Sequence, residues 1–538
     1  MISLKSLFAA RNKKKRRDGA TAAREENGPP SAISGSRPLA ADLEANLQRL
    51  KEIFSACSDV VFREFLFAQN EKVRLVLVYL DGLVDTEQIG GQIMRALLLE
   101  APLSVPPGET NRESALETIK QRCLLVTQIK EVALFGDVVG AVLAGDVALL
   151  VDGHPRAVIG TGRGWERRAI EEPETETSVR GPREGFVETL RVNTALLRRR
   201  IKSPDFKIET IRLGELTATE VAVAYIRGIA SEKVVAEVKN RLKRIKLDGV
   251  LESGYLEELI EDNPLSPFPT VNHTERPDRV AASLLEGRVA ILVDGSPVAL
   301  IIPNLFAEYL QAGEDYYERY LIASALRFLR LVSAIASLVL PSFYVAVLSY
   351  HHELLPISLM ISLAAQREAV PYPVFIEVLL MEMIFEVLRE AGLRLPRVVG
   401  QAVSIVGALV MGEAAVRAGL VAAATVITVA TTGIASFVVT YSASIAFRLL
   451  RFFLLGLSAA LGLFGLVSGL ALIGIHLCTL RSFGVPYLSP FVPTSAADLK
   501  DTFFRAPWWA MTTRPGEIAR RRQKIRGRLE KPSPPAGE

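Results

Sequence analysis

Four ionisable residues stand in the otherwise apolar stretch VFIEVLLMEMIFEVLR, residues 374–389: Glu377, Glu382, Glu386 and Arg389. At helical spacing Glu382 and Glu386 lie one turn apart and Arg389 follows three residues later, so these three share a face while Glu377 falls round the other side. A carboxylate in a greasy helix is costly in lipid and must meet water, a partner or a counter-charge. Two readings follow. Copies of this helix from several subunits ring a water-filled, cation-favouring path, or Glu386 and Arg389 form a structural pair in an interfacial helix. Glu413 and Arg417, four apart, admit the same two readings, the structural pair being the stronger.

No other residue set suggests chemistry. GTGRGW (160–165) lacks the Gly-Lys-Ser/Thr of a phosphate loop, and GDVVGAVLAG (136–145) lacks the G-x-G-x-x-G of a dinucleotide turn. The five His are scattered, and His351-His352 fit the end of a span better than a metal site. No catalytic triad, cofactor site or metal site emerges, so the expectation is a non-enzyme. Three cysteines, Cys57, Cys123 and Cys478, cannot frame a disulfide scaffold in 538 residues and fit a reducing compartment.

The elements that position the charges divide the chain in two. Mean hydropathy of +0.27 beside 23% charged residues implies segregation: residues 1 to about 320 read as soluble, and apolar runs of membrane-spanning length recur beyond them. Residues 1–42 are a basic tail too poor in large apolar residues to order. Leu43, Leu47, Leu50 and Phe54 mark an amphipathic helix, VRLVLVYLDGLVD (73–85) a buried strand and turn, and TEQIGGQIMRALLLE (86–100) a helix capped by Thr86. Tyr79 to Gly82 recurs as Tyr225 to Gly228, 146 residues on, and Asp152-Gly153 recurs as Asp294-Gly295, 142 residues on. Two motifs repeating at nearly one offset predict two duplicated α/β lobes, 43–165 and 190–303, joined by an acidic linker, 166–189. Each closes with a strand, an Asp-Gly turn and a returning strand.

Residues 304–485 form a helical transmembrane domain with broken or re-entrant helices, and 486–538 a basic cytosolic segment. FLRLVSAIASLVLPSFYVAVLSY (328–350) spans with a kink at Pro341; 354–388 suggests two half-helices or a re-entrant hairpin; 398–416, 418–441 and the Gly-rich 452–480 follow. Gly462, Gly465, Gly469 and Gly474 predict close helix packing. Four crossings return the tail to the side of the lobes, and a further helix within 452–480 also preserves the parity. The terminal clusters Arg11 to Arg17 and Arg520 to Arg528 fit cytosolic ends touching anionic lipid rather than nucleic acid. The fold class is thus an α+β cytosolic region of two duplicated α/β lobes followed by an α-helical polytopic membrane domain.

The stretches NPLSPFPTVNHTERPDRVAASLLEGRVAILVDGSPVALIIP (263–303), PYLSPFVP (486–493) and DLKDTFFRAPWWAMTTRP (498–515) resemble the signatures of the spore germination receptor A-subunit family (GerA type). The resemblance runs from about 45 to 515. Its most specific piece joins Thr274, Glu275, Arg276, Pro277 and Asp278 to Asp294, Gly295 and Pro297. It implies a subunit of a nutrient receptor in the spore inner membrane, with lobes and both termini cytosolic. It further implies a transporter-like B subunit and a lipoprotein C subunit as partners, and homo-oligomers that release monovalent cations. A non-conducting scaffold and a secondary transporter are the alternatives; no inverted repeat supports the latter.

Overall fold

The computed structural model describes residues 37–67, 73–100, 129–164, 172–173, 176, 180–394, 411–439, 441–495, 497–519 and 531–532. The two terminal basic clusters, Cys123 and most of 398–416 lie outside the described residues. Helix α1 (Leu43–Ile53) is capped by Asp42, whose carboxylate accepts from the Glu44 N–H at 3.1 Å. It buries Leu43, Leu47 and Leu50, and Phe54 just beyond it, as the spacing predicts.

The first lobe is a five-stranded antiparallel sheet of β1 (Val60–Leu66), β2 (Arg74–Leu80), β3 (Ile129–Val132), β4 (Val147–Val151) and β5 (Ala157–Gly160), ordered β1-β2-β4-β5-β3. Because side chains alternate between faces, Val76, Val78 and Leu80 of β2 pack under α1 and α2 (Phe135–Leu143), while Leu75 and Leu77 pack under the 86–100 run. Covered on both faces, β2 is a continuous apolar run. The 86–100 run departs from expectation. It is one α turn, Thr86–Gln88, followed by π turns, and the Glu87 N–H is accepted by Asp85 at 2.9 Å. The carboxylate that competes for the free N–H groups thus precedes Thr86 by one residue.

The second lobe repeats the plan. After α3 (Leu190–Arg200) come β6 (Phe206–Leu213), β7 (Thr219–Ile226), α4 (Glu232–Arg244), α5 (Ser253–Ile260), β8 (Asn272–Thr274), α6 (Pro277–Glu286), β9 (Val289–Val293) and β10 (Ala299–Ile302). The order β6-β7-β9-β10-β8 matches the first sheet position for position. The repeated glycines share one backbone state as well: φ is 84° at Gly82 and 82° at Gly228, and 86° at both Gly153 and Gly295. Only glycine enters that region without a Cβ penalty.

A buried ion pair is at the centre of the contact between the lobes. Asp59, at the entry to β1, receives two bonds from Arg198 of α3, at 2.6 and 2.9 Å, with side chains only 8% and 1% exposed. Arg198 also donates to the Phe206 carbonyl at 2.8 Å, and Lys207 reaches back to the Ile53 carbonyl at 3.1 Å.

The helical half contains α7 (Tyr320–Tyr350, with Pro341 inside), α8 (Ile357–Arg367), α9 (Val374–Arg394), a helical turn pair at 411–417, α10 (Ala423–Val438) and α11 (Tyr441–Thr479). Two described helices, α7 and residues 444–479 of α11, are long and apolar enough to cross a bilayer. The second is not straight. Phe447 and His476 both pack on Phe268, at 6.4 and 6.3 Å between ring centres, whereas 29 residues of straight helix would part them by about 44 Å. The chain reverses at Gly462, where φ is 62° and a Cβ would meet the His351 ring at 2.8 Å. The arms 441–461 and 463–479 are therefore antiparallel. Gly465 and Gly469 permit the contact, since a Cβ on either would strike Leu457 or Leu454 of the first arm.

Where the sequence suggested two half-helices or a re-entrant hairpin over 354–388, the chain forms an 11-residue helix, α8, followed by a continuous 21-residue helix, α9. Near its start α9 meets Ala422 and Thr425, and near its end Ser436, so α9 and α10 run parallel. Arg417 and Glu413 pair at 2.6 Å on the surface.

Both ends of the helical half return to the second lobe. The hairpin β11 (Arg481–Ser482) and β12 (Val485–Pro486) docks there, with the Ser482 hydroxyl donating to the Thr270 carbonyl at 2.6 Å. Arg327, one to two turns into α7, is wholly buried; it bonds Asp315 at 2.8 Å and Asp501, beyond α11, at 2.8 Å.

Candidate functional site

The charged face read from the sequence exists, but its counter-charges come from another helix. Glu382 and Arg451 are each 1% exposed and stand 3.0 Å apart; Arg451 also reaches Glu386 at 3.0 Å. Arg448 meets the other Glu386 oxygen at 3.1 Å, and Arg389 lies 3.5 Å from Glu386. Arg389 also donates to Ser436 of α10 at 2.7 Å and lies over the rings of Phe385 and Phe437. Two carboxylates and three guanidiniums thus join α9, α10 and the first arm of α11. Glu382 has no well-directed hydrogen bond although its cation is adjacent. Glu377 sits apart, as its position on the helix requires. It accepts from the Ala422 N–H at 3.0 Å and Thr425 at 3.1 Å, and pairs with Arg367 at 3.1 Å.

Glu377, Glu382, Glu386 and Arg389 are therefore all charge-paired within one chain. Their partners Arg367, Arg448 and Arg451 were not singled out from the sequence. Arg448 and Arg451 are three apart at the start of a Gly-rich apolar run, and a pair of arginines at helical spacing inside such a run is a signal of the same kind as Glu382 and Glu386.

The second candidate set clusters where the lobes meet the helical half. Pro277 opens α6 at its first position, and Gly287 closes it at φ 108°. Arg276 grips Asp278 through two bonds, at 3.1 and 2.8 Å, and donates to the Pro182 carbonyl at 3.2 Å. The Tyr317 hydroxyl, three residues before α7, donates to Asp278 at 2.6 Å. Burial would push the Asp278 carboxyl up, but the bonds from Arg276 and Tyr317 outweigh it and hold the group below the usual range. Thr274 donates to Glu176 and accepts from the Arg276 N–H at 3.2 Å, and the Glu275 carbonyl accepts from Phe186 at 2.8 Å. In the hairpin, Asp294 accepts from the Leu190 N–H at 3.0 Å and Gly295 donates to the Glu188 carbonyl at 2.7 Å; Pro297 follows as the turn ends. The set is structural: it fastens linker, second lobe and α7 entry to one another.

Residues 48–517 match the sequence model of the Bacillus/Clostridium GerA spore germination protein family. The chain belongs to the GerA family. It is 44% identical to spore germination protein KA of Bacillus subtilis (strain 168) over 93% of this chain and 90% of that one. It is 40% identical to spore germination protein GerLA of Bacillus cereus over 91% and 99% respectively. A membrane protein of B. subtilis named YfkQ is 46% identical over 90% and 93%. The crystal structure of the N-terminal domain of the A subunit of the Bacillus megaterium spore germinant receptor GerK3 is 37% identical, covering 50% of this chain and 98% of that one, with a TM-score of 0.40. The GerA match takes in both the fastening set at 274–297 and the charged cluster at 377–451.

Proposed function

We propose that this GerA-family chain is the A subunit of a spore nutrient germinant receptor in the spore inner membrane. In this reading copies of the chain assemble around a path that releases monovalent cations when nutrient is sensed. A transporter-like B subunit binds the nutrient, and a lipoprotein C subunit completes the receptor. Names and identities of the full-length relatives support the receptor role. The shared anchoring of α7 and of residue 501 by Arg327 supports an even number of crossings. The reversal at Gly462 favours counting α11 as two of them, which makes six passes a better fit than four.

The observation that carries the conducting reading is the cluster of Glu382, Glu386, Arg389, Arg448 and Arg451 in the helical half. A buried network of this kind can hold one packing of α9 against α11, and exchanging its partners can expose carboxylates to a path between subunits. Swinging a two-state element from 1:99 to 99:1 takes about 5.5 kcal/mol of differential affinity, and breaking a buried ion pair costs about 3–5 kcal/mol. A single pair falls short of that figure, so more than one pair of the network would exchange partners together.

A second reading, a non-conducting signalling scaffold, is favoured by the same cluster being neutralised within one chain. Ion flux from liposomes separates the two. The purified chain, alone and with its B and C partners plus nutrient, should release potassium, and Glu382→Gln with Glu386→Gln should change rate or selectivity. Liposomes that stay sealed under every combination would establish the scaffold.

A further inference from the structure

The segment after α11 places its residues in the reverse of the order a water-facing loop adopts. In DTFFRAPWWA (501–510) the polar side chains turn inward: Thr502 is 2% and Arg505 4% exposed, and Asp501 is held by Arg327 and by the Tyr316 hydroxyl at 2.8 Å. Three of the four aromatic ones turn outward, Trp509 being half-buried. Phe504 is 61%, Trp508 51% and Phe503 39% exposed, beside Val492 at 50%. Large apolar side chains gathered on one short exposed segment mark an interaction site.

Its position says what covers it. The Arg505 N–H donates to the Ser324 hydroxyl at 3.1 Å, and that hydroxyl donates to the Arg505 carbonyl at 3.2 Å. Trp509 stands edge-on to Tyr320 at 5.8 Å, and Trp508 lies 6.0 Å from Tyr316. The loop is therefore clamped to the first turn of α7, about 6 Å along its axis. From that turn onward α7 presents Leu321 and Ile322, 67% and 50% exposed, and further apolar residues to its surroundings. The aromatic patch continues that surface at the level where a spanning helix leaves the bilayer. Tryptophan and other amphipathic rings concentrate at this boundary because one end stays wet while the body leaves water.

We infer that residues 503–511 form an interfacial membrane anchor, with Phe503, Phe504 and Trp508 immersed at the headgroup-to-acyl boundary of the leaflet that faces the lobes; the occupant of the patch is lipid. This rests on the reading that α7 crosses the bilayer. The anchor sets the height of the α7 entry and, through Asp501 and Arg327, of the second lobe above the membrane.

Depth-dependent fluorescence quenching tests it on the full chain. Trp165→Phe leaves Trp508 and Trp509 as the only emitters among the three tryptophans. The protein is reconstituted in phosphatidylcholine and phosphatidylglycerol vesicles carrying bromines either near the headgroup or near the acyl ends. Emission should be quenched roughly twofold more by the shallow bromines than by the deep ones, as immersion of 5–10 Å requires. A control variant carries Val332→Trp on the exposed face of α7, with all three native tryptophans replaced by Phe. If that probe is quenched by deep bromines while Trp508 and Trp509 respond to neither lipid, the anchor is refuted and the crossing stands. If it too is untouched, both fall. Shielding of Trp508 and Trp509 from bromolipid and from aqueous acrylamide alike would place the loop against protein, which also overturns the anchor.

Discussion

Removing the Arg451 side chain isolates the most informative interaction in the helical half. Arg451 serves two carboxylates at 3.0 Å each, but they are not equally dependent on it. Glu386 keeps Arg448 at 3.1 Å and Arg389 at 3.5 Å and is 21% exposed, whereas Glu382 is 1% exposed and, among the described residues, pairs with Arg451 alone. Arg451→Ala thus strands one buried carboxylate, at a cost of about 3–5 kcal/mol. At tenfold per 1.4 kcal/mol, that is roughly two to three and a half orders of magnitude in the population of the native packing. Adding Glu382→Gln removes the stranded charge and should restore most of the loss, while adding Glu386→Gln should restore little. Glu382→Gln alone should be nearly neutral, because Arg451 retains Glu386. The measurement is thermal unfolding of the four variants in one detergent, with potassium release from liposomes as the functional counterpart. Equal rescue by Glu382→Gln and Glu386→Gln would refute the asymmetry, and no rescue by either would show that Arg451 acts through packing rather than charge.

Three further outcomes follow from the geometry. Asp59→Ala leaves Arg198 buried without its carboxylate between the lobes, and should cost about 3–5 kcal/mol in thermal unfolding, with Arg198→Met in the same chain recovering much of it. Gly462→Ala forces a Cβ into a backbone region where non-glycine residues pay about 1–3 kcal/mol, and against the His351 ring; loss of the folded fraction in detergent chromatography, absent for Gly474→Ala where a Cβ meets nothing, checks it. Burial, with Glu257, Asp262 and Glu258 nearby, pushes the Glu261 carboxyl up to about 7, although the Thr270 N–H donates to it. Since the folded-state value exceeds the ordinary 4.5, the stability tied to this proton is complete below about pH 4.5 and is lost as pH rises through about 7. Glu261→Gln should therefore raise the melting temperature at pH 8 and change it little at pH 5.

The lobes were legible because duplication leaves local marks. Tyr79 to Gly82 and Asp152-Gly153 each recur with the same glycine φ, and a turn that only glycine makes easily survives divergence around it. The amphipathic α1 was legible for a similar reason, its period being short-range. What could not be read is long-range. Glu382 and Arg451 are 69 residues apart, and nothing local pairs them; the sequence shows that a carboxylate needs a counter-charge, not which helix brings it. The reversal at Gly462 was hidden inside a run whose composition suits one long helix as well as two short ones. Thr86 has the type and place of a cap, yet Asp85, a residue earlier, accepts from the Glu87 N–H. The signature 274–278 was recognisable as a pattern, while its purpose became clear only from Tyr317 and the linker it touches.

Arg327 deserves to be seen as a rivet through three sheets of metal. It pins the turn at Asp315, the root of α7 and the strand of chain at Asp501, which are separated by 186 residues of sequence between the outer two. A twist of the second lobe is then delivered to the first and last portions of the helical half together, as torque on a frame rather than a tug on one rope. The interior helix α9 is coupled to that frame through Arg448 and Arg451 of α11, so the torque also reaches the carboxylates of Glu382 and Glu386.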